Sequence, residues 1–370
     1  MTFNPPTPPQ FAGAFFRRLS RIACGSLMLL ALAAPLPAVD MLYVTLNNNT
    51  IVSYDTTGNV GSTIAASVAT FANTNLNDPR GLAFDTSGNL YAGNWTNPGT
   101  ISKFNSSGVY QSNITSNLAN VAGLAFDSSG NLYAVNRVGN TISKFNSSGN
   151  YLSNITTNLN VPIGLAIDSS GNLYAANVGN STISKFDSSG AYVSSGSIPS
   201  TNLAGPYGLA FDSSGNLYAA NFGNSTISKF DSSGVYQSNI SSNLGSPIGL
   251  AFDSSGNLYA ANSSSNSISK FDSSGAYVSI GSIGTTNLNS PFGLAFDSSG
   301  NLYAANSGNS TISKFDSSGT FLTSWSTGTG APRFLAFKSV SVPEPSTYAL
   351  AAIATGVMAY LARRRKARTT

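Results

Sequence analysis

The sequence predicts an all-β ring built from repeated four-stranded units, and three observations predict it. The pentapeptide Gly-Leu-Ala-Phe/Ile-Asp recurs from Gly81, Gly123, Gly164, Gly208, Gly249 and Gly293, at intervals of 42, 41, 44, 41 and 44 residues. Each copy divides into strand-length pieces between turns (GLAFD, NLYAA, TISKF and a looser fourth such as VYQSNI), and no segment carries a helical apolar period. Finally, the two ends of the body hold complementary fractions of one more repeat. Four strands in about 42 residues is the unit of a β-propeller blade.

Residues 1–38 read as an export signal peptide. Arg17-Arg18-Leu-Ser-Arg21 precedes the apolar run Ile22 to Ala34, and Leu36-Pro37-Ala38 offers a cleavage site before Val39. The run of 13 residues falls short of the roughly 20 that a bilayer span needs. Cys24, the single cysteine, lies inside it, so the mature body is expected to have no thiol chemistry.

The body, residues 39–341, begins with the second and third strands of a repeat, Asp40-Met-Leu-Tyr-Val-Thr and Thr50-Ile-Val-Ser-Tyr-Asp. It ends with a lone first strand, Ala331-Pro-Arg-Phe-Leu-Ala-Phe-Lys338. Paired, these complete a seventh blade and remove the open sheet edges that invite aggregation. The Ile and Phe of TISKF stand three apart, hence on opposite faces of a strand, and both need cover. A blade wedged between two others supplies that cover.

The pattern Pro-x-Gly-Leu-Ala-Phe-Asp-Ser-Ser-Gly-Asn-Leu-Tyr-Ala-Ala-Asn resembles the NHL repeat over roughly residues 40 to 340. The Gly-His and Trp-Asp pairs of WD40 repeats and the Gly-Gly pair of kelch repeats do not occur in it. The resemblance implies a propeller, but that family hosts sensors, scaffolds, lyases and hydrolases, so function must be argued from a site.

Residues 342–370 have their own signature. Val342-Pro343-Glu344-Pro345-Ser346 is followed by an apolar run from Tyr348 to Ala362 and by Arg363-Arg364-Arg365-Lys366. Alone, this predicts a short transmembrane helix with its basic flank held cytoplasmic. The order resembles the PEP-CTERM sorting signal of Gram-negative bacteria. That resemblance implies an exosortase-type partner cutting near Val342 to Ser346. The inner membrane would hold the helix transiently, or permanently if it stays uncut. It also implies an association with exopolysaccharide and biofilm material.

The formal charge of +4 belongs to the ends. Eight of the 18 Lys and Arg lie in the two terminal segments, leaving ten in the body against 13 of the 14 acidic residues. With no basic stripe interleaved with aromatics, nucleic acid is not an expected partner.

Two kinds of turn punctuate each repeat. In the turn after the third strand the first residue is Asn105, Asn146, Asp187, Asp231, Asp272 or Asp316, so an acceptor oxygen suffices and the role is turn capping. The turn after the first strand is always Asp: Asp85, Asp127, Asp168, Asp212, Asp253 and Asp297. Six carboxylates at one channel mouth are candidates for a cation site, interrupted by Lys338 in the seventh copy. The Lys of TISKF is read as a solvated or Asp-paired charge. With His absent and Glu found only at Glu344, imidazole catalysis and a Glu-based metal set have no residues to use. No cofactor and no enzymatic activity are expected. The alternative is a metal-dependent hydrolase or lyase using the channel-mouth Asp residues.

Candidate binding residues are those that vary while their surroundings repeat. Just before the Gly of the inner strand stand Arg80, Ala122, Ile163, Tyr207, Ile248, Phe292 and Arg333. In the loop after the second strand stand Trp95, Arg137, Val178, Phe222, Ser263 and Ser307. Both sets fall on the face opposite the Asp turns. Arg80, Trp95, Arg137, Tyr207, Phe222, Phe292 and Arg333 are the expected ligand-binding set for an exported surface or matrix module that contacts exopolysaccharide or an envelope protein.

Overall fold

The computed structural model describes residues 39–56, 69–71 and 75–340. The predicted signal peptide, the Pro343-Glu344-Pro345 motif and the C-terminal helix lie outside them. Among the described residues no helix is long and apolar enough to cross a membrane. Residues Asp40–Ser339 form one compact unit, a seven-bladed β-propeller.

Blades 1 to 6 follow the six repeats, with inner strands Pro79–Phe84, Val121–Phe126, Pro162–Ile167, Pro206–Phe211, Pro247–Phe252 and Pro291–Phe296. Within each blade the strands pair antiparallel in sequence order, inner to outer. Blade 7 is built from both ends of the body. Its inner strand is Pro332–Val340, which pairs with Val39–Leu46, and Thr50–Asp55 and Ala69–Phe71 complete it. The ring is closed as the split repeat predicts.

The core lies between blades. In one cluster Tyr174, Ile183 and Ile198 of blade 3 pack on Leu217, Ala219 and Phe230 of blade 4. Leu and Phe thus face backwards while Tyr and Ile face forwards, which is why both faces of TISKF and NLYAA are apolar. Tyr218 meets Phe252 of the following inner strand edge-on at 5.2 Å, and Tyr43 meets Phe84 at 5.0 Å.

A buried polar joint recurs at the end of the second strand. Asn221, fully buried, accepts from the Ala204 amide at 3.2 Å and donates to Thr226 Oγ1 and Ser228 Oγ at 2.9 and 2.7 Å. Ser228 Oγ donates in turn to the Asn202 carbonyl. The joint ties the loop arriving from the previous blade to the middle of its own sheet, satisfying polar groups that burial would otherwise orphan. Asn94, Asn136, Asn177, Asn262 and Asn306 repeat it.

Blades 3 and 5 carry the two 44-residue repeats. In blade 3 the fourth strand is reduced to the bridges Phe186 to Tyr192 and Ile183 to Ile198. In blade 5 it is a seven-residue strand, Tyr277–Ile283, with a register break between Ile268 and Lys270.

Candidate functional site

Inner strands crowd together at the level of the variable residues. A Cβ on Gly208 would sit 2.2 Å from the carbonyl oxygen of Ile248 in the next blade, and one on Gly249 would sit 2.3 Å from that of Phe292. Glycine is required there by close approach, and the residue just before it is brought to a narrow mouth of the channel.

Each of the seven predicted binding residues meets at least one other member of the set there. Tyr207 lies 6.0 Å edge-on from Phe292, two blades away, and 6.2 Å from Phe222. The Arg333 guanidinium stands 5.8 Å over Phe292. On the other side of the closure, Arg80 and Arg137 approach Trp95 at 4.4 and 5.5 Å. Phe222 is exposed, whereas Phe292 is buried. The set is therefore mutually packed, and only part of each ring faces outwards.

Two members were not visible from the variable positions alone. Phe334 stands in blade 7 where every other inner strand has the crowded Gly, and packs on Phe292 at 5.4 Å. Asp78 forms an ion pair with Arg80 at 2.9 Å, where other repeats have Asn120, Val161, Gly205, Ser246 or Ser290. Departure from the repeat was the signal in both cases.

Arg80 and Arg333 share one carboxylate in this sector, that of Asp78. Burial lowers the Arg333 pKa, the charge of Arg80 adds to the effect, and Asp78 and Tyr207 oppose it. Arg333 Nε and Asp78 Oδ1 are both buried without a hydrogen-bond partner. The mouth thus offers a basic, aromatic-lined surface, with one unused donor and one unused acceptor buried beneath it.

The opposite face is occupied by the Asp turns. Asp212 Oδ1 accepts the amides of Ser214 and Asn216 at 2.9 Å each, and Oδ2 accepts Asn216 Nδ2 at 2.8 Å and the Tyr218 hydroxyl at 3.4 Å. The amide and Asn contacts recur for Asp85, Asp127, Asp168, Asp253 and Asp297. Lys229 lies across the strand pair from Tyr218, its Nζ 5.2 Å from the ring centroid. Lys270 and Lys314 stack in the same way and also come within 4.0 and 3.8 Å of Asp253 and Asp297, so these two are paired rather than solvated. Lys338 donates to the Ser106 carbonyl at 2.9 Å. Among the described residues no group of three or more His, Cys, Asp or Glu could hold a metal ion.

Residues 159–186 match the NHL repeat and residues 341–366 match the PEP-CTERM protein-sorting motif. No curated protein matches the chain. Among solved structures, the fold is similar to that of streptogramin B lyase, at 16% identity and TM-score 0.63, over 69% of this chain and 86% of that one. It is likewise similar to virginiamycin B lyase from Staphylococcus aureus, at 16% identity and TM-score 0.63, over 70% and 91%. A His-to-Ala form of that lyase is catalytically inactive. A protein from Lactobacillus plantarum is similar at 14% identity and TM-score 0.67, over 82% and 100%. At these identities the likeness concerns the fold. The sorting motif indicates export, association with the envelope or surface, and processing by an exosortase-type system. The chain is an NHL-repeat-like, seven-bladed β-propeller protein with a C-terminal PEP-CTERM sorting motif.

Proposed function

We propose that the protein is an exported, non-catalytic binding or scaffold module of the cell surface or extracellular matrix, contacting polysaccharide or protein through the mouth opposite the Asp turns. One observation carries the reading. Residues that vary between otherwise copied repeats, from Arg80 to Arg333, gather at one mouth, while the opposite mouth is lined by copies of one turn. On this reading residues 1–38 direct export across the inner membrane of a Gram-negative bacterium. Residues 39–341 are the working domain, and residues 342–370 hold the inner membrane until an exosortase cuts near Pro343, Glu344 and Pro345.

The lyase neighbours favour a second reading, a metal-dependent hydrolase or lyase using Asp85, Asp127, Asp168, Asp212, Asp253 and Asp297. Against it, the lyase depends on a His and this chain has none, and these carboxylates already accept the amides and Asn side chains of their own turns. Divalent-metal analysis of the purified protein separates the two, since a stoichiometric ion would favour the enzyme. The binding reading is tested with Arg80→Met/Arg137→Met/Arg333→Met against acidic envelope polysaccharide, with the melting temperature followed in parallel. A folded triple variant that binds as the parent does would overturn it.

A further inference from the structure

We infer that blades 3 and 5 each carry an outer-edge cleft for an uncharged sugar unit, so that the propeller holds two equivalent glycan sites away from the basic mouth. This goes beyond the mouth-face reading and does not depend on it.

The clefts come from the two long repeats. In the short repeats of blades 2 and 4 the outer strand lies flat on the third, placing Asn154 opposite Ser143 and Asn239 opposite Ser228. From Tyr to the closing Ile that strand spans five residues, Tyr151–Ile155 and Tyr236–Ile240. In blades 3 and 5 the same path takes seven, from Tyr192 to Ile198 and from Tyr277 to Ile283. The two extra residues loop away from the third strand, and Gly196 and Gly281 come up against Gly234 and Gly319 of the following blade. Ser197 pins the bulge, its Oγ accepting the Lys185 amide at 3.0 Å and donating to the Val193 carbonyl at 2.7 Å. Ser282 does the same with Lys270 and Val278, at 2.9 and 2.7 Å. Ser184 and Ser269 thereby lose the Asn that stands opposite their counterparts, though both stay buried at the floor of the opening.

What opens is a matched pair of cavities, about 370 Å³ in blade 3 and about 350 Å³ in blade 5. These volumes lie at the small end of ligand pockets, the size of one or two sugar rings. Their walls correspond position by position: Asn158 with Asn243, Thr182 with Ser267, Ser184 with Ser269, and Tyr192 with Tyr277. None of the described lining residues is charged, so an ionic ligand would lose hydration without compensation. Hydroxyls and amides dominate instead, groups that both donate and accept, as sugar hydroxyls do. Each cleft has one aromatic wall. Tyr192 and Tyr277 are 40% and 41% exposed, and each is held upright by edge contact with Phe186 or Phe271 at 6.0 or 6.1 Å. A half-bare ring in that posture presents its face to the C–H side of a pyranose.

Repetition has a further effect. Two like sites on one rigid ring hold a repeating polymer more tightly than either site alone, because the second contact is intramolecular. A neutral polysaccharide fits both the walls and their duplication.

Affinity electrophoresis of the exported protein in gels containing dextran, galactomannan or a β-1,3-glucan tests the inference, with alginate as the acidic comparison. At least one neutral polymer is expected to retard the parent. Tyr192→Ala or Tyr277→Ala alone should weaken that retardation several-fold, and the two together at least tenfold. Tyr151→Ala/Tyr236→Ala is the control, because those rings make the same edge contact, with Phe145 and Phe230, over strands without the bulge. It should leave retardation unchanged. A second variant avoids dependence on Tyr: replacing residues 193–197 with the Leu-Ser-Asn of blade 2 restores the short-repeat strand and closes one cleft. It too should weaken retardation. Failure of all three neutral polymers to retard the parent overturns the proposal, as does equal loss in the control and cleft variants, or full retardation with both clefts closed. The triple Arg variant of the mouth should keep neutral-glycan binding, so the two proposals fail separately.

Discussion

Leu46 and Val52 pack in one buried apolar cluster of blade 7, at the two positions that an Asn and a Ser fill in every other blade. The swap removes donor and acceptor together, which can be nearly neutral, whereas removing one strands the other. The arriving loop compensates for the loss. Thr327 Oγ1 donates to the Gly330 carbonyl at 2.7 Å, and the Ala331 amide finds Asn47 Oδ1 at 2.8 Å.

The blade-7 solution can be transplanted in part. Asn221→Leu in blade 4 leaves Ser228 and the Ala204 amide without their partner and should cost about 3 kcal/mol. Adding Ser228→Val should recover about 1 kcal/mol of that loss, read by denaturant melts of single and double variants. A double variant as weak as the sum of the singles would contradict the coupling.

The uniform Asp of the first turn and the Asn-tolerant second turn have different causes. Asp212 uses both oxygens as acceptors, and its Oδ2 faces the Asn216 amide and the Tyr218 hydroxyl. An Asn there would turn an NH2 group towards donors. The described hydrogen bonds of Asp187 all go to Oδ1, from Ser189 and Ala191. Asp212→Asn should therefore lower stability by about 1 to 2 kcal/mol, while Asp187→Asn should leave the melting temperature unchanged.

Two glycines separate crowding from backbone conformation. Gly208→Ala would drive a Cβ to 2.2 Å from the Ile248 carbonyl oxygen and should cost about 3 kcal/mol or more, or prevent folding. Gly256 has a φ of +82° but nothing within 4 Å of its Cβ position. Its change to Ala should cost only about 1 kcal/mol. Equal losses at the two sites would refute the crowding argument.

Alkali should unfold the ring. Burial raises the pKa of Tyr43, Tyr54, Tyr91, Tyr133, Tyr174, Tyr218, Tyr259 and Tyr303 above the ordinary 10.0. A group raised in the folded state lends stability that is complete below its unfolded value and is lost as pH climbs from there. Stability should fall from about pH 10 upward. Absorbance at 295 nm and circular dichroism should then show these tyrosines ionising together with unfolding. Their ionisation at ordinary pH in a folded ring would contradict the burial argument.

Period, blade count and closure were legible because each rests on one-dimensional spacing. The Asp turn was legible for the same reason, since its partners lie within six residues. Packing of Arg80 and Arg137 on one Trp95 was not legible, because the three meet only when inner strands and loops of two blades are brought side by side. The 44-residue intervals gave the length of the insert in blades 3 and 5. Where it sits depends on which residues stay paired, and so Ser184 and Ser269 gave no sign of losing the Asn opposite them. Phe334 was in plain view, in the one repeat too fragmentary to compare with the rest.

The seventh blade draws its inner strand from the last residues before the sorting motif and its other strands from the first residues of the body. Loop closure across almost the whole body must occur before that sheet exists. A chain interrupted anywhere upstream therefore lacks the piece that locks the circle and leaves blade 7 with a bare edge. Completion of the ring is a built-in proof that the whole body has been made, delivered just before the segment that hands the protein to its sorting machinery.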